Sequence, residues 1–278
     1  MSITVFTVSA ADKTITSVAN PLVKEILRLH DKRGRAETGL FIIEGQRELD
    51  IAARNSASII KILYNPQKCD FFVNLSVKID EKIKVSDRIL ERVSYRGAVE
   101  GFVAVAKMPE RKLSDLKLPS DPLIVVLDKL EKPGNIGAIL RTAEAAGVDA
   151  ILVCDEIGDL YNPNLIRASL GAVFSLPVFC TAAADALIWL NARKIKTVLA
   201  SPQAQKVCFD SDLSVPLALV IGSEAAGVSD IWLKNAADSV IIPMSGAVDS
   251  LNASVSAAVL IYEALRQRKH ANISRWSK

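Results

Sequence analysis

Apolar positions along the chain fall into two series of short runs separated by amphipathic or polar stretches. In the first series, Leu40–Ile43, Ile59–Tyr64 and residues 101–106 are continuous apolar runs that predict strands, and residues 77–79 predict a weaker one. Between them, Gln46–Arg54 and Asp87–Val93 carry helical spacing. Ahead of them, Asn20-Pro21 predicts a helix start, with Asn as cap and Pro in the first turn, followed by a stripe of Leu22, Val23, Ile26, Leu27 and Leu29. The second series opens at residues 123–127, a buried-strand run. It continues through a loop at 128–137, a helix at 138–146 stopped by Gly147, and strands at 151–154, 177–180, 197–200 and 217–222. Asn162-Pro163 predicts another helix containing Arg167, and Ser229 is placed to cap a short one. Between the series, residues 107–122 are charged and proline-bearing, with little periodicity, as in a linker.

The alternation predicts an α/β protein in two domains: a leader at 1–14, a first domain at 15–106, the linker at 107–122, a second domain with a mostly parallel sheet at 123–270, and a tail at 271–278. Near the end, Ile241 and Ile242 lead into a Pro/Gly loop and then an apolar helix over 254–268. Ser250, Asn252, Ser254 and Ser256 lie where a helix offers unpaired N–H groups. Asp249 or Ser250 could simply cap that helix. Two earlier loops share the design: 131–137, followed by Arg141, and 222–227. All three follow strands, and in a parallel sheet they converge on one crevice. Arg141 stands among Ala138, Ile139, Leu140, Ala143 and Ala145. It is either half of a scaffold ion pair with Glu144 or Glu224, or a functional cation beside a glycine-rich loop.

Composition narrows the chemistry. Of 278 residues, 50% are hydrophobic, enough for a sizeable core. No apolar run approaches the ~18 residues of a membrane span. The first residues lack the basic start of a signal peptide, which places the protein in the cytosol. Cys69, Cys154, Cys180 and Cys208 are widely spaced and read as reduced, mostly buried thiols. With only His30 and His270, no metal site or Ser-His-Asp triad is expected. Neither a dinucleotide fingerprint nor a P-loop is present. The net charge of +3 is mild, but Lys24, Arg28, Lys32, Arg33 and Arg35 cluster on or after the first helix. They form either a solvated face or a phosphate-contacting patch.

The three loops resemble the signature motifs of the SpoU/TrmH family of RNA 2′-O-methyltransferases, in the SPOUT superfamily. Asn135, Gly137, Arg141, Thr142 and Ala143 meet the first motif. Gly222, Ser223, Glu224 and Gly227 meet the second, and 242–255 the third. Ala225 and Ala253 replace residues common in the family. The first domain, through Ile15-Thr16-Ser17, Asn20-Pro21, Lys24, Leu27 and Phe41 to Gly45, is similar to the L30e/L7Ae-like substrate-binding domain of such enzymes. Residues 95–101 depart from the usual short turn there.

The resemblance implies an N-terminal L30e/L7Ae-like domain for RNA and a C-terminal SPOUT domain with a deep trefoil knot. It also implies a homodimer through the C-terminal domain. S-adenosylmethionine would lie against Gly222, Ile242, Met244, Gly246 and Leu251. Asn135, Arg141, Glu224, Ser250 and Asn252 would line the reaction site, with no metal and no membrane. The substrate implied is ribosomal RNA of the large subunit; tRNA, or an inactive RNA-binding role on the ribosome, are the competing readings, and the intact motifs argue against inactivity. Guanidinium is a reluctant base, so Arg141 is expected to orient the 2′-oxygen and stabilise its developing charge. Glu224 is the carboxylate available for proton work, or it positions Arg141 or Asn135.

Overall fold

The computed structural model describes residues 12–68, 78–95, 97, 100–155, 159–224 and 226–271, with the side chains of 269–271 excepted. Cys69, most of the predicted leader, the first residue of the weak strand at 77–79, the His270 side chain and all but the first residue of the tail lie outside that range. The chain divides into two compact units: residues 1–110 with Asp159–Ser175, and residues 111–158 with 176–278.

In chain order, the first unit starts with β1 (Lys13–Ile15), α1 (Pro21–Arg28), α2 (Lys32–Thr38), β2 (Leu40–Ile43), α3 (Gln46–Arg54) and β3 (Ile59–Tyr64). It continues with β4 (Ile79–Val85), α4 (Asp87–Val93) and β5 (Phe102–Lys107). Asn20 caps α1 as expected, its Oδ1 accepting the Leu22 N–H at 2.9 Å. The five strands form one sheet in the order β1-β4-β3-β5-β2, with β5 antiparallel to both its neighbours. Residues predicted as the end of a leader thus form an edge strand. The weak strand at 77–79 is instead seven residues long and begins at Ile79. Its mixed charges have a cause: Glu81 on β4 lies between Lys13 of β1 at 3.6 Å and Lys61 of β3 at 3.3 Å. Cross-strand ion pairs of this kind suit a sheet surface.

The second unit begins inside the predicted linker. A short 3₁₀ turn at Leu113–Asp115 and partly buried Leu113, Leu116 and Leu118 pack on its core, so this stretch is anchored. There follow β6 (Leu123–Asp128), α5 (Pro133–Ala146) and β7 (Ala150–Cys154). The chain then crosses to the first unit for α6 (Pro163–Ala168) and α7 (Ala172–Ser175). It returns for β8 (Val178–Thr181), α8 (Ala183–Ala192), β9 (Lys196–Ala200), β10 (Lys206–Val207), β11 (Leu217–Ile221), α9 (Asp230–Asn235), β12 (Asp238–Ile241) and α10 (Ala253–Ala271). The sheet is β10-β12-β9-β11-β6-β7-β8, and every pairing in it is parallel. Central β6, β7 and β11 are buried at every position, which explains their unbroken apolar runs. The predicted loop at 128–137 ends early: α5 starts at Pro133, so Asn135 and Gly137 are helical. Ser229 stands at the start of α9, but its hydroxyl makes no capping bond.

Two expectations about single residues change. Cys154 and Cys208 are buried, and burial pushes both thiols up, but Cys180 is exposed. Arg35 is not on a basic face. It is 1% exposed, donates to the Leu29 carbonyl, and pairs with Asp159 at 2.5 Å. The cause is tight helix packing: α2 approaches the end of α1 so closely that a Cβ on Gly34 would lie 1.9 Å from the Arg28 carbonyl oxygen. Asp159 belongs to the segment that crosses over from the second series of elements, in which the sequence boundaries 123–270 had included it. Phe41 stacks on Phe174 and packs, tilted, against Tyr161 of the same segment. Removing one partner of a buried pair strands the other charge. Arg35→Ala is therefore expected to destabilise the fold by about 3–5 kcal/mol, read as a fall in the urea midpoint. A loss under about 1 kcal/mol, the range of a surface pair, would contradict this placement.

Candidate active site

The residues that end three neighbouring parallel strands, Ala200 of β9, Ile221 of β11 and Ile241 of β12, lie along one cleft of about 380 Å³. Two of the predicted loops reach it. Gly222, Ile242, Met244 and Leu251 line it, together with Ser250 and Glu224. Gly246 does not. Sequence reasoning missed Ser201, Gln203 and Leu233 on its wall, although 201–203 follow a strand C-terminus as the other loops do. Among the described residues, the charged side chains on the wall are Glu224 and Asp249, and no Lys, Arg or His lines it.

Gly222 is needed for space. The chain doubles back as a small antiparallel bridge between Ser223 and Gly227, with N–H to carbonyl distances of 3.0 and 2.9 Å. A Cβ on Gly222 would stand 2.3 Å from the Gly227 carbonyl. The Ser223 hydroxyl accepts the Ala226 N–H at 3.1 Å, closing the turn that carries Glu224. Gly227, at φ +66°, takes the left-handed position.

Glu224 is where the three motifs meet. Its Oε1 accepts Asn135 Nδ2 at 2.9 Å and also the amide of Asn252. Its Oε2 pairs with Lys132 at the start of α5. Asn252 Nδ2 also reaches Asn135 Oδ1 at 3.2 Å. On its other side, Asn252 Oδ1 accepts the Ser254 N–H at 3.0 Å, so Asn252 caps α10, the role weighed for Asp249 or Ser250. The Lys132 ammonium and the Asn135 amide hold the Glu224 carboxyl below the usual carboxylate range, against the opposing effect of desolvation, and the Ala253 N–H at the mouth of α10 adds to the lowering.

Arg141 makes neither alternative ion pair: Glu224 is taken by Lys132, and Arg141 has no hydrogen bond or ion pair among the described residues. It is exposed, and the residues one and two turns before it on its stripe of α5, Ala138 and Gly134, are small. Lys132, which completes the carboxylate network, was missed because a charge in a loop before proline reads as solvated. No group of three or more side chains able to hold a metal occurs among the described residues.

In the first unit, Lys24, Arg28, Lys32 and Arg33 are exposed, but Arg28 and Arg33 both pair with Glu37. His30 is structural, its Nε2 lying 2.8 Å from the Val93 carbonyl and its ring edge-on to Tyr95. Of the described residues, no helix is long and apolar enough to cross a membrane.

Residues 122–262 match the SpoU rRNA Methylase family, and residues 20–104 match the MRM3-like substrate binding domain. The 23S rRNA (uridine(2479)-2′-O)-methyltransferase of Streptomyces viridochromogenes is 32% identical over 250 residues, covering 86% of this chain and 87% of that protein. A crystal structure of an RNA 2′-O ribose methyltransferase superposes with a TM-score of 0.79 at 40% identity, covering 92% of this chain and 99% of that one. The SpoU methyltransferase AviRb from S. viridochromogenes, crystallised with AdoMet, gives a TM-score of 0.83 at 30% identity over 90% of this chain and 98% of that one.

A depressed carboxyl keeps its charge, and so its pairing, above the ordinary Glu range and loses it only as pH falls through the lowered value. In a carboxyl-carbon NMR titration Glu224 is expected to titrate below an ordinary Glu, and in Lys132→Gln to move back up towards it. An unchanged midpoint in that variant would show that Lys132 does not set the charge.

Proposed function

The chain belongs to the SpoU rRNA Methylase family, and from that premise we propose that it is an S-adenosylmethionine-dependent RNA 2′-O-ribose methyltransferase acting on 23S ribosomal RNA in the cytoplasm. The observation that carries the reading is the Asn135–Glu224–Asn252 network, in which three distant segments meet at the wall of one cleft. That cleft suits the cofactor. Its size is within the range of small-molecule sites. Its strand-end backbone and apolar Ile242 and Leu251 suit an adenosyl group, and carboxylates with no lining cation among the described residues suit a sulfonium while disfavouring a phosphate. Gly222, Ile242, Met244 and Leu251 would hold it. When bound, S-adenosylmethionine supplies an electrophilic methyl group on positively charged sulfur.

The remaining chemistry belongs to the chain. Arg141, unpaired among the described residues, binds the ribose 2′-oxygen and stabilises the negative charge that develops there as its proton leaves to water. Guanidinium keeps its own protons, so Arg141 acts as a donor. Glu224, held as a carboxylate by Lys132, is a weak proton acceptor, and its task is to fix Asn135 and Asn252. Lys24, Arg28, Lys32 and Arg33 on the first unit position RNA through phosphates, so the salt dependence of RNA binding reports how many of them engage. The knotted threading implied by the resemblance is part of the same proposal.

A homodimer completes it. On α10, Val255 and Tyr262 are 47% and 53% exposed, with partly buried Ala258 and Val259 between them on the same stripe. So wide an apolar stripe suits a two-fold partner. Sedimentation at micromolar concentration is expected to give twice the chain mass, and a monomer would contradict this face. The catalytic reading is tested with tritiated cofactor on 23S rRNA. Arg141→Ala is expected to lose about 10²–10³ in the rate of transfer while cofactor affinity measured by calorimetry is kept. Full activity in that variant would overturn the role of Arg141.

A further inference from the structure

Lys132 was assigned no role by the motifs, yet it is the cation joined to the carboxylate at the centre of the site. Its side chain is 71% exposed and it does not line the cleft, whereas Glu224 does. The division of contacts on Glu224 is informative. Oε1 accepts the two amides, Asn135 and Asn252, and Oε2 takes Lys132. Losing the lysine therefore leaves the carboxylate located by its amides but no longer neutralised. Among the described residues the other charge on the cleft wall, Asp249, is also negative, so Lys132 is the ion-paired cation that tempers an otherwise acidic cleft.

We propose that Lys132 is a specificity-determining counter-ion: by pairing with Glu224 it sets how strongly the cleft prefers a cationic sulfonium ligand over the neutral thioether left after methyl transfer. The inference rests on the functional reading above and adds a residue and a property to it. The physical argument is that methyl transfer removes the positive charge from sulfur. A carboxylate on the cleft wall attracts the sulfonium but gains nothing from the thioether, so the carboxylate's effective charge decides the ratio of the two affinities. Lys132 lowers that effective charge. Its side chain is largely exposed, so its influence is that of a screened surface pair, a factor of about two to five.

The test uses the full chain and binding alone. Calorimetry measures S-adenosylmethionine and S-adenosylhomocysteine on the unsubstituted protein, Lys132→Gln, Glu224→Gln and the double variant, with Lys132→Arg as the charge-keeping control and thermal melting as the check of folding. Lys132→Gln is expected to raise the sulfonium-to-thioether preference about two- to fivefold, mainly by tightening the sulfonium ligand, with the gain shrinking at high salt. Glu224→Gln is expected to lower the preference. In that background Lys132→Gln should have no further effect, and Lys132→Arg should keep the original ratio. Equal changes in both affinities, or none, would make Lys132 a merely structural partner and overturn the inference. Failure of the unsubstituted protein to bind either ligand would instead remove the functional reading on which the inference stands.

Discussion

The Glu224 carboxylate ties the second unit's chemistry together. Its partners come from α5 and from the cap of α10, 89 and 28 residues away along the chain. A carboxylate with two oxygens can accept from all of them at once, and no neutral side chain of that size can. The arrangement needs the turn from Ser223 to Gly227, and that turn needs Gly222 bare of a Cβ. It also needs a parallel sheet, because only then do the C-terminal ends of adjacent β6 and β11 open on the same edge and bring Lys132 and Glu224 within reach. From central strand to turn to carboxylate, each step limits the next.

Much of this was legible along the chain. Buried parallel strands announce themselves as apolar runs, so β6, β7, β9 and β11 were placed within a residue or so. Helix starts with Asn-Pro were equally plain at α1 and α6, where Asn20 and Asn162 each accept an N–H two residues on. The misses share a cause. β4 carries Asp80, Glu81, Lys82 and Lys84, and its charge makes sense only once Lys13 and Lys61 are seen on the neighbouring strands. α2 was not picked out along the chain, where its residues entered only as part of a basic cluster, and its glycine is explained by contact with α1. Such features depend on what lies across a sheet or under a helix, which local pattern does not contain.

The segment Asp159–Ser175 shows the same limit at the level of domains. It lies between two strands of the second unit's sheet, so a linear reading assigns it there. Its buried contacts are with the first unit: Asp159 on Arg35, Tyr161 and Phe174 on Phe41, and the Asn164 amide on the Tyr95 hydroxyl at 3.1 Å. Composition does not mark the crossing, because a helix packed on one core has the same apolar stripe as a helix packed on another.

Arginine makes the last point sharply. Arg35 and Arg141 were both candidates for touching RNA, one from a basic cluster and one from a motif. Arg35 is sealed at 1% exposure against Asp159, a partner 124 residues away, and is therefore bound into the fold. Arg141 has two carboxylates close in sequence or in the site, Glu144 and Glu224, and pairs with neither. An exposed guanidinium with no carboxylate partner among the described residues has its donors available to a ligand. What separates the two arginines is a carboxylate partner: Arg35 has Asp159, and Arg141 has none among the described residues.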